Sequence, residues 1–402
     1  MDVDGLFKGV AVVIDDEVHS ADPKITNILK QVNDKNIPLM KYDSIPSEGV
    51  ISHFQELSFV FLDWRLIKQN ITDNDFASGV SVPAALQDHE VDENIDFIKK
   101  LKEVCFCPVF IFTNEGVDTV IDVLEEKGLY DRNKPNHIFI KQKSEIQGKT
   151  KLFREVEKWI KNNPSVYVLK EWEREYQKSK NKLFSEFEQL SPVWPKIMWK
   201  NFTDDGGNSS LDLGELISRN LHTRMAPFEF SDEILSKRGK KIERSEIRRV
   251  LEGAMYLANS NLHDDNINPG DVFKLSGKYY INIRAACDCV PDRSANGSTL
   301  DDVQLYLLKG SKLTDPKAKK IFRTKYGQFL EIDSQSILFP LHDGKSIDFR
   351  FKDLVIRSWK DIKDKRIGRI LPPYINRIQQ RYALYLQRQG LPRIPDSALF
   401  GK

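Results

Sequence analysis

The chain has 402 residues, 40% hydrophobic and 30% charged, with 61 Lys and Arg against 59 Asp and Glu. That is too much chain for one ordinary core, so two or three domains are expected. No run of about 18 or more apolar residues occurs, and the opening "MDVDGLFKGV" has neither a basic stretch nor an apolar one, which argues against a membrane span or secretory signal and for a cytosolic protein.

The four cysteines fall as Cys105 with Cys107 and Cys287 with Cys289, a C-x-C spacing unlike a secreted disulfide framework, so reduced thiols are expected. The near-zero net charge hides an asymmetry. Residues 1–163 carry 20 Lys and Arg against 28 Asp and Glu, whereas the remainder carries 41 against 31. An acidic front and a basic rear suggest separate domains with separate partners, or a contact between the two.

In chain order, the pattern predicts a strand over Val10 to Ile14, a helix over Pro23 to Val32, and strands over Ile37 to Tyr42 and Phe59 to Leu62. A helix over Ile95 to Val104, a strand over Val109 to Phe112, a helix over Val117 to Lys127, a strand over His137 to Ile140 and a helix over Leu152 to Ile160 follow. Strands separated by helices imply a doubly wound, five-stranded parallel sheet of the α/β class, whose functional groups gather at the carboxyl ends of the strands. Those ends carry Asp15 and Asp16, Asp63, Thr113 and Lys141.

An acid pair, a central aspartate, a Thr and a Lys on successive strand ends resemble the receiver domain of two-component signalling. The resemblance covers roughly the first 160 residues. It implies that Asp63 accepts a phosphoryl group from a histidine kinase or phosphotransfer protein. It also implies that Asp15, Asp16, Asp63 and the backbone carbonyl of Arg65 hold Mg²⁺ or Mn²⁺, and that Lys141 and Thr113 contact the phosphoryl oxygens. Crowded carboxylates need such a cation, and hard oxygen ligands suit Mg²⁺. The sequence departs from the family where Gln142, in place of the usual Pro, follows Lys141, and where Leu66 to Glu93 form an insertion after Asp63. The insertion covers the site, recognises a kinase or is a plain surface loop.

The expected organisation is a receiver-like domain over 1–163, a helical connector over 164–200 and an α+β output region over 201–402. Ser165 to Ser191 form a long amphipathic helix, either a transmitter or homodimerisation element or a plain connector. Helical patterns follow at Leu211 to Arg224 and Ser245 to Asn261, and then a mostly β module from about 270 to 355, with a small barrel as one form. Cys287 and Cys289 with His263 fall short of a zinc ligand set.

No Walker motif, H-E-x-x-H, G-x-S-x-G or helix-turn-helix appears in the rear half. In "PPYINRIQQRYALYLQRQG" a Pro pair opens a helix with Ile375, Ile378, Tyr382 and Tyr385 on one face and Arg377, Arg381 and Arg388 on another. The arginines are a solvated face, a nucleic-acid contact or a clamp on the acidic domain. "GDVFKLSGKYYINIRAACDC" is similar to segments in receiver-linked proteins of bacterial conflict and antiviral systems, which implies defence signalling as a setting. The rival to a phosphorylated signalling protein is a scaffold receiver within a nucleic-acid-binding effector.

Overall fold

A computed structural model describes residues 6–66, 84–205, 208–225, 227–236, 241–291, 297–322, 327, 329–332, 334–389, 394, 395 and 398, with 84–90 as backbone only. Most of the insertion after Asp63 lies outside the described residues. The chain forms two compact units, Met1–Arg238 and Gly239–Lys402.

In the first unit the elements alternate: β1 (Val10–Ile14), α1 (Pro23–Asn33), β2 (Leu39–Tyr42), α2 (Glu48–Ile51), β3 (Leu57–Asp63), α3 (Ala84–Val104), β4 (Val109–Thr113), α4 (Val117–Glu126), β5 (Ile138–Gln142) and α5 (Lys151–Ile160). The entry to α1 is coded locally. The Asp22 side chain accepts from the amides of Lys24 (2.7 Å) and Ile25 (3.1 Å), and Pro23 has no amide to leave unpaired.

All five strands are parallel, in the order β2-β1-β3-β4-β5, which is the flavodoxin-like winding. Both faces of the sheet are covered. The side chains alternate between them: Phe59, Phe61, Phe110, Phe112 and Phe139 enter a core with Ile28, Val32 and Val156, while Val60, Leu62, Val109 and Ile111 enter another with Ile98, Leu101, Val120 and Leu124. The aromatic side is continuous, with Phe61 to Phe112 ring centroids 5.0 Å apart and Phe110 edge-on to Trp159 at 5.6 Å.

The long helix α6 (Pro164–Leu190) runs on from α5, and its first turns belong to this unit's core: Tyr167 is buried there and its hydroxyl oxygen accepts from the Ser231 amide at 2.9 Å. Helices α7 (Trp194–Asp204), α8 (Ser209–Arg224) and α9 (Asp232–Leu235) follow within the same unit, which therefore extends well past residue 163.

The second unit starts with α10 (Arg244–Gly253), β6 (Tyr256–Ala258), β7 (Asp271–Leu275), β8 (Lys278–Asn282) and β9 (Gln304–Lys312). It continues with α11 (Asp315–Ile321), β10 (Phe329–Ile332), β11 (Gln335–His342), β12 (Lys345–Ser358), α12 (Trp359–Ile362), β13 (Arg366–Ile370) and α13 (Tyr374–Gln387). The expected helix over Ser245 to Asn261 stops at Gly253, because Met255 and Tyr256 are buried and Tyr256 pairs with Ile370 as a strand. The eight strands make one sheet, β10-β11-β12-β9-β8-β7-β13-β6, with β10 and β6 at its two edges.

Two hairpin turns of this sheet have consecutive residues at positive φ, Ser276 (46°) with Gly277 (74°) and Asp343 (52°) with Gly344 (65°), the mirror-image turn that matches strand twist. Ile375 and Ile378 of α13 are buried against one face with Ile281, Phe349 and Phe351, and Tyr382 packs edge-on to Phe351 at 6.0 Å. The other face holds Phe273, Leu305, Trp359 and Ile362.

Candidate functional site at the carboxyl edge of the parallel sheet

The register of the sheet brings the site together. Ile14 stands opposite Leu62, Asp63 opposite Phe112, and Thr113 opposite Gln142, so the residues at or just past the ends of β1, β3, β4 and β5 share one rim. There Asp15 and Asp63 are buried, Asp16 is half-buried and Thr113 is fully buried. One oxygen from each of the three aspartates can be chosen so that all lie within 4.8 Å of one another.

The ammonium on this rim is that of Lys143. Its Nζ donates to Asp63 Oδ2 at 2.7 Å and to Asp15 Oδ2 at 2.9 Å, and its side chain is 1% exposed. Lys141, the residue expected from the sequence, stands elsewhere: its Nζ lies 3.6 Å from Glu155 of α5 and 3.9 Å from Glu145.

Strand parity explains the difference. Lys141 is two residues after Phe139, so it projects to the side of the sheet covered by α5. Lys143 lies just beyond β5, in a 3₁₀ turn over Lys143–Ile146, where the strand's alternation no longer holds. That turn is closed by a reciprocal cap, with the Gln142 side chain bound by the Glu145 amide and Glu145 Oε2 accepting from the Gln142 amide at 3.2 Å.

Other groups fix the acids. Asp15 Oδ1 accepts from the Glu17 amide at 2.9 Å. Asn94 of α3 holds the strand end behind Asp63, donating to the Trp64 carbonyl at 2.9 Å and reaching the Asp63 carbonyl at 3.4 Å. Arg65 Nε donates to Glu115 Oε1 at 2.6 Å, Thr113 Oγ1 accepts from the Glu115 amide at 2.9 Å, and Gln142 Nε2 donates to the Glu115 carbonyl at 3.0 Å. The segment after β4 is therefore tied to the segments after β3 and β5. Asn94, Glu115 and Lys143 were not anticipated from the sequence. For Lys143 the signal was present in "IFIKQKSEI", where a second lysine follows two residues after the first.

The electrostatics show a site with surplus negative charge. Burial, then the neighbouring Asp15, pushes the Asp16 carboxyl up to about 6. Burial also raises Asp63, against the pull of Lys143 and with the help of Asp15. Lys143 is pulled down by its own burial, but Asp63 and Asp15 outweigh that and hold it charged. Three carboxylates facing one ammonium fit a divalent cation, and an all-oxygen donor set of this kind suits Mg²⁺ or Mn²⁺.

Arg377 donates to Glu331 of β10 through Nε (2.8 Å) and Nη2 (3.1 Å), Arg381 Nε lies 3.9 Å from the same carboxylate, and the Arg388 guanidinium stacks over Tyr385 at 3.8 Å. Cys289 is buried beside Asn282, Cys287 is exposed, and the His263 carbonyl accepts from Arg366; among the described residues only the three aspartates form a metal-ligand cluster. No helix of the described residues is long and apolar enough to cross a membrane. No protein-family model matches the sequence, and no curated protein matches it.

Proposed function

We propose that the first unit is a phosphoacceptor receiver, in which Asp63 takes a phosphoryl group from a phosphohistidine on a kinase or phosphotransfer partner. The observation that carries this reading is the buried bridge of Lys143 between Asp15 and Asp63, with Asp16 and Thr113 on the same rim. A structural ion pair needs one carboxylate. This site gathers three, at the edge where parallel sheets of this winding bind ligands.

A carboxylate oxygen of Asp63 attacks phosphorus, the P–N bond of the donor breaks with its electron pair going to the imidazole, and an acyl phosphate forms. Lys143, 2.7 Å from Asp63 Oδ2, shifts its hydrogen bond to a phosphoryl oxygen as that carboxylate loses its charge. Thr113 turns its hydroxyl to a second oxygen. Because Thr113 Oγ1 now holds the Glu115 amide, and Glu115 holds Arg65, that turn releases or re-forms the loop after β4. A divalent cation held by Asp15, Asp16 and Asp63, with the Arg65 carbonyl as a further oxygen, supplies neutralisation of the charge between carboxylate and phosphoryl group when bound.

The test uses the full chain with Mg²⁺ and a small-molecule phosphodonor such as acetyl phosphate or phosphoramidate. Intact mass should show one added phosphoryl group in the wild type and none in Asp63→Asn. Labelling of both would place the acceptor elsewhere. Labelling of neither, with beryllium fluoride also leaving Trp64 fluorescence unmoved, would leave the rim as a scaffold for binding.

A further inference from the structure

Asn94 stands in a place built for an apolar side chain. On α3 the residues Asn94, Ile95, Phe97, Ile98 and Leu101 are buried at helical spacing, and all but Asn94 belong to the core that also holds Leu62 and Trp64. Asn94 is 0% exposed, and its Oδ1 has no hydrogen-bond partner. An unpaired buried amide oxygen is costly, and a leucine in this stripe would avoid it, so stability alone does not select asparagine here.

The other half of the amide is used. Asn94 Nδ2 donates to the Trp64 carbonyl at 2.9 Å and reaches the Asp63 carbonyl at 3.4 Å. Carbonyl oxygens only accept, so Nδ2 must face them and Oδ1 is the atom left over. The Trp64 carbonyl and the Arg65 amide belong to one peptide unit, and in a trans peptide they point in opposite directions. Held by its oxygen from α3, this unit turns its N–H to Asp63 Oδ1 at 3.4 Å, while Lys143 holds Oδ2 at 2.7 Å. The last torsion of an aspartate is broad, so its carboxylate takes a fixed rotation only from such outside contacts.

We propose that Asn94 is a positioning residue for phosphoryl transfer, which acts through the Trp64–Arg65 peptide to fix the rotation of the Asp63 carboxylate. The inference rests on the reading of Asp63 as the phosphoacceptor. Attack on phosphorus requires one carboxylate oxygen to be held close to the line of the breaking bond, and the same oxygens meet the divalent cation. The Arg65 carbonyl, the further oxygen for that cation, lies one peptide beyond the clamped unit, so the clamp bears on its direction as well.

The experiment replaces Asn94 in the full chain. Asn94→Leu, of similar size, removes the donor together with the unpaired Oδ1 and leaves the Trp64 carbonyl unpaired in its stead, so the apo variant should melt close to the wild type. With Mg²⁺ and acetyl phosphate, its maximal labelling rate by intact mass should fall at least about tenfold, and the donor concentration giving half that rate should stay the same. Calorimetric titration with Mg²⁺ alone should show binding weakened by about threefold or more. Asn94→Gln, which keeps an amide donor, should label faster than Asn94→Leu. Asn94→Ser, whose hydroxyl is too short to reach the carbonyl, should show the same loss as Asn94→Leu and serves if the leucine variant does not fold.

A folded Leu or Ser variant that labels and binds Mg²⁺ as the wild type does overturns the proposal. So does a loss of rate in both variants that is matched by their loss of folded protein, because Asn94 then only supports the core. A wild type that binds Mg²⁺ and takes no phosphoryl group removes the phosphoacceptor reading, and the positioning role then stands or falls on the Mg²⁺ constants of wild type and variants. A wild type that does neither overturns both.

Discussion

Lys143 Nζ sits 2.7 Å from Asp63 and 2.9 Å from Asp15, joining the ends of two parallel strands through one ammonium that solvent hardly reaches. Removing that ammonium leaves two buried carboxylates without their cation. Lys143→Met should therefore lower apo stability by about 3–5 kcal/mol, and Lys141→Met, at a part-exposed pair with Glu155, by less than about 1 kcal/mol. Chemical denaturation of the two variants measures this. In the phosphodonor assay the Lys143 variant should fail, and a Lys141 variant that failed in its place would refute the assignment.

Asp16 is raised to about 6 in the fold from an ordinary 3.8, so the folded state binds its proton more tightly than the unfolded state does. Above pH 6 the ionised group therefore works against folding, and the penalty fades as pH falls from 6 towards 3.8. Asp16→Asn should raise apo stability at pH 8 by about 1 kcal/mol, a figure reduced for the half-exposure of the group, and the gain should shrink below pH 6. Mg²⁺ should stabilise the wild type more than this variant. Equal shifts in melting temperature would remove the acid cluster as the metal site.

His137 gives the opposite sign. Burial, then Lys102, lowers it to about 4 from an ordinary 6.5, so the unfolded chain takes up the proton first. Stability from this group is intact above pH 6.5 and is lost as pH falls from there towards 4. The difference between wild type and His137→Gln should therefore change by on the order of 2 kcal/mol between pH 8 and pH 5. Comparing the two proteins cancels the opposing contribution of the aspartates, and a flat difference curve would show that His137 is not held neutral.

Gly368 of β13 sits where a Cβ would fall 2.3 Å from the Leu257 carbonyl oxygen and 2.3 Å from the Tyr256 hydroxyl, so backbone would have to move. Gly368→Ala should cost more than about 3 kcal/mol by overpacking, with Tyr256 losing its 2.6 Å hydrogen bond to the Ile367 carbonyl. Thermal melting read on the second unit's signal checks it. A loss under about 1 kcal/mol would show that β13 can shift away from β6.

The arginine face of α13 yields a separate expectation. With Arg377 and Arg381 already on Glu331, replacing Arg377, Arg381 and Arg388 by Gln should leave nucleic-acid binding near background in wild type and variant alike. A salt-titrated binding assay decides it, and a wild-type affinity that falls steeply with salt and is lost in the variant would restore the phosphate contact.

The sequence by itself determined the order of the five parallel strands and of α1, α3, α4 and α5, because apolar runs of four or five residues separated by helical periods leave little else to form, whereas α2, α7 and α9 were not read from it. It also placed Asp15, Asp16, Asp63 and Thr113, since each directly ends or follows such a run. Only the tertiary structure decided which lysine completes the rim, because the choice depends on how the chain turns after β5 and on Glu155 of α5 waiting on the other side. Likewise Glu331, 46 residues before Arg377, meets it only because the sheet places β10 beside α13.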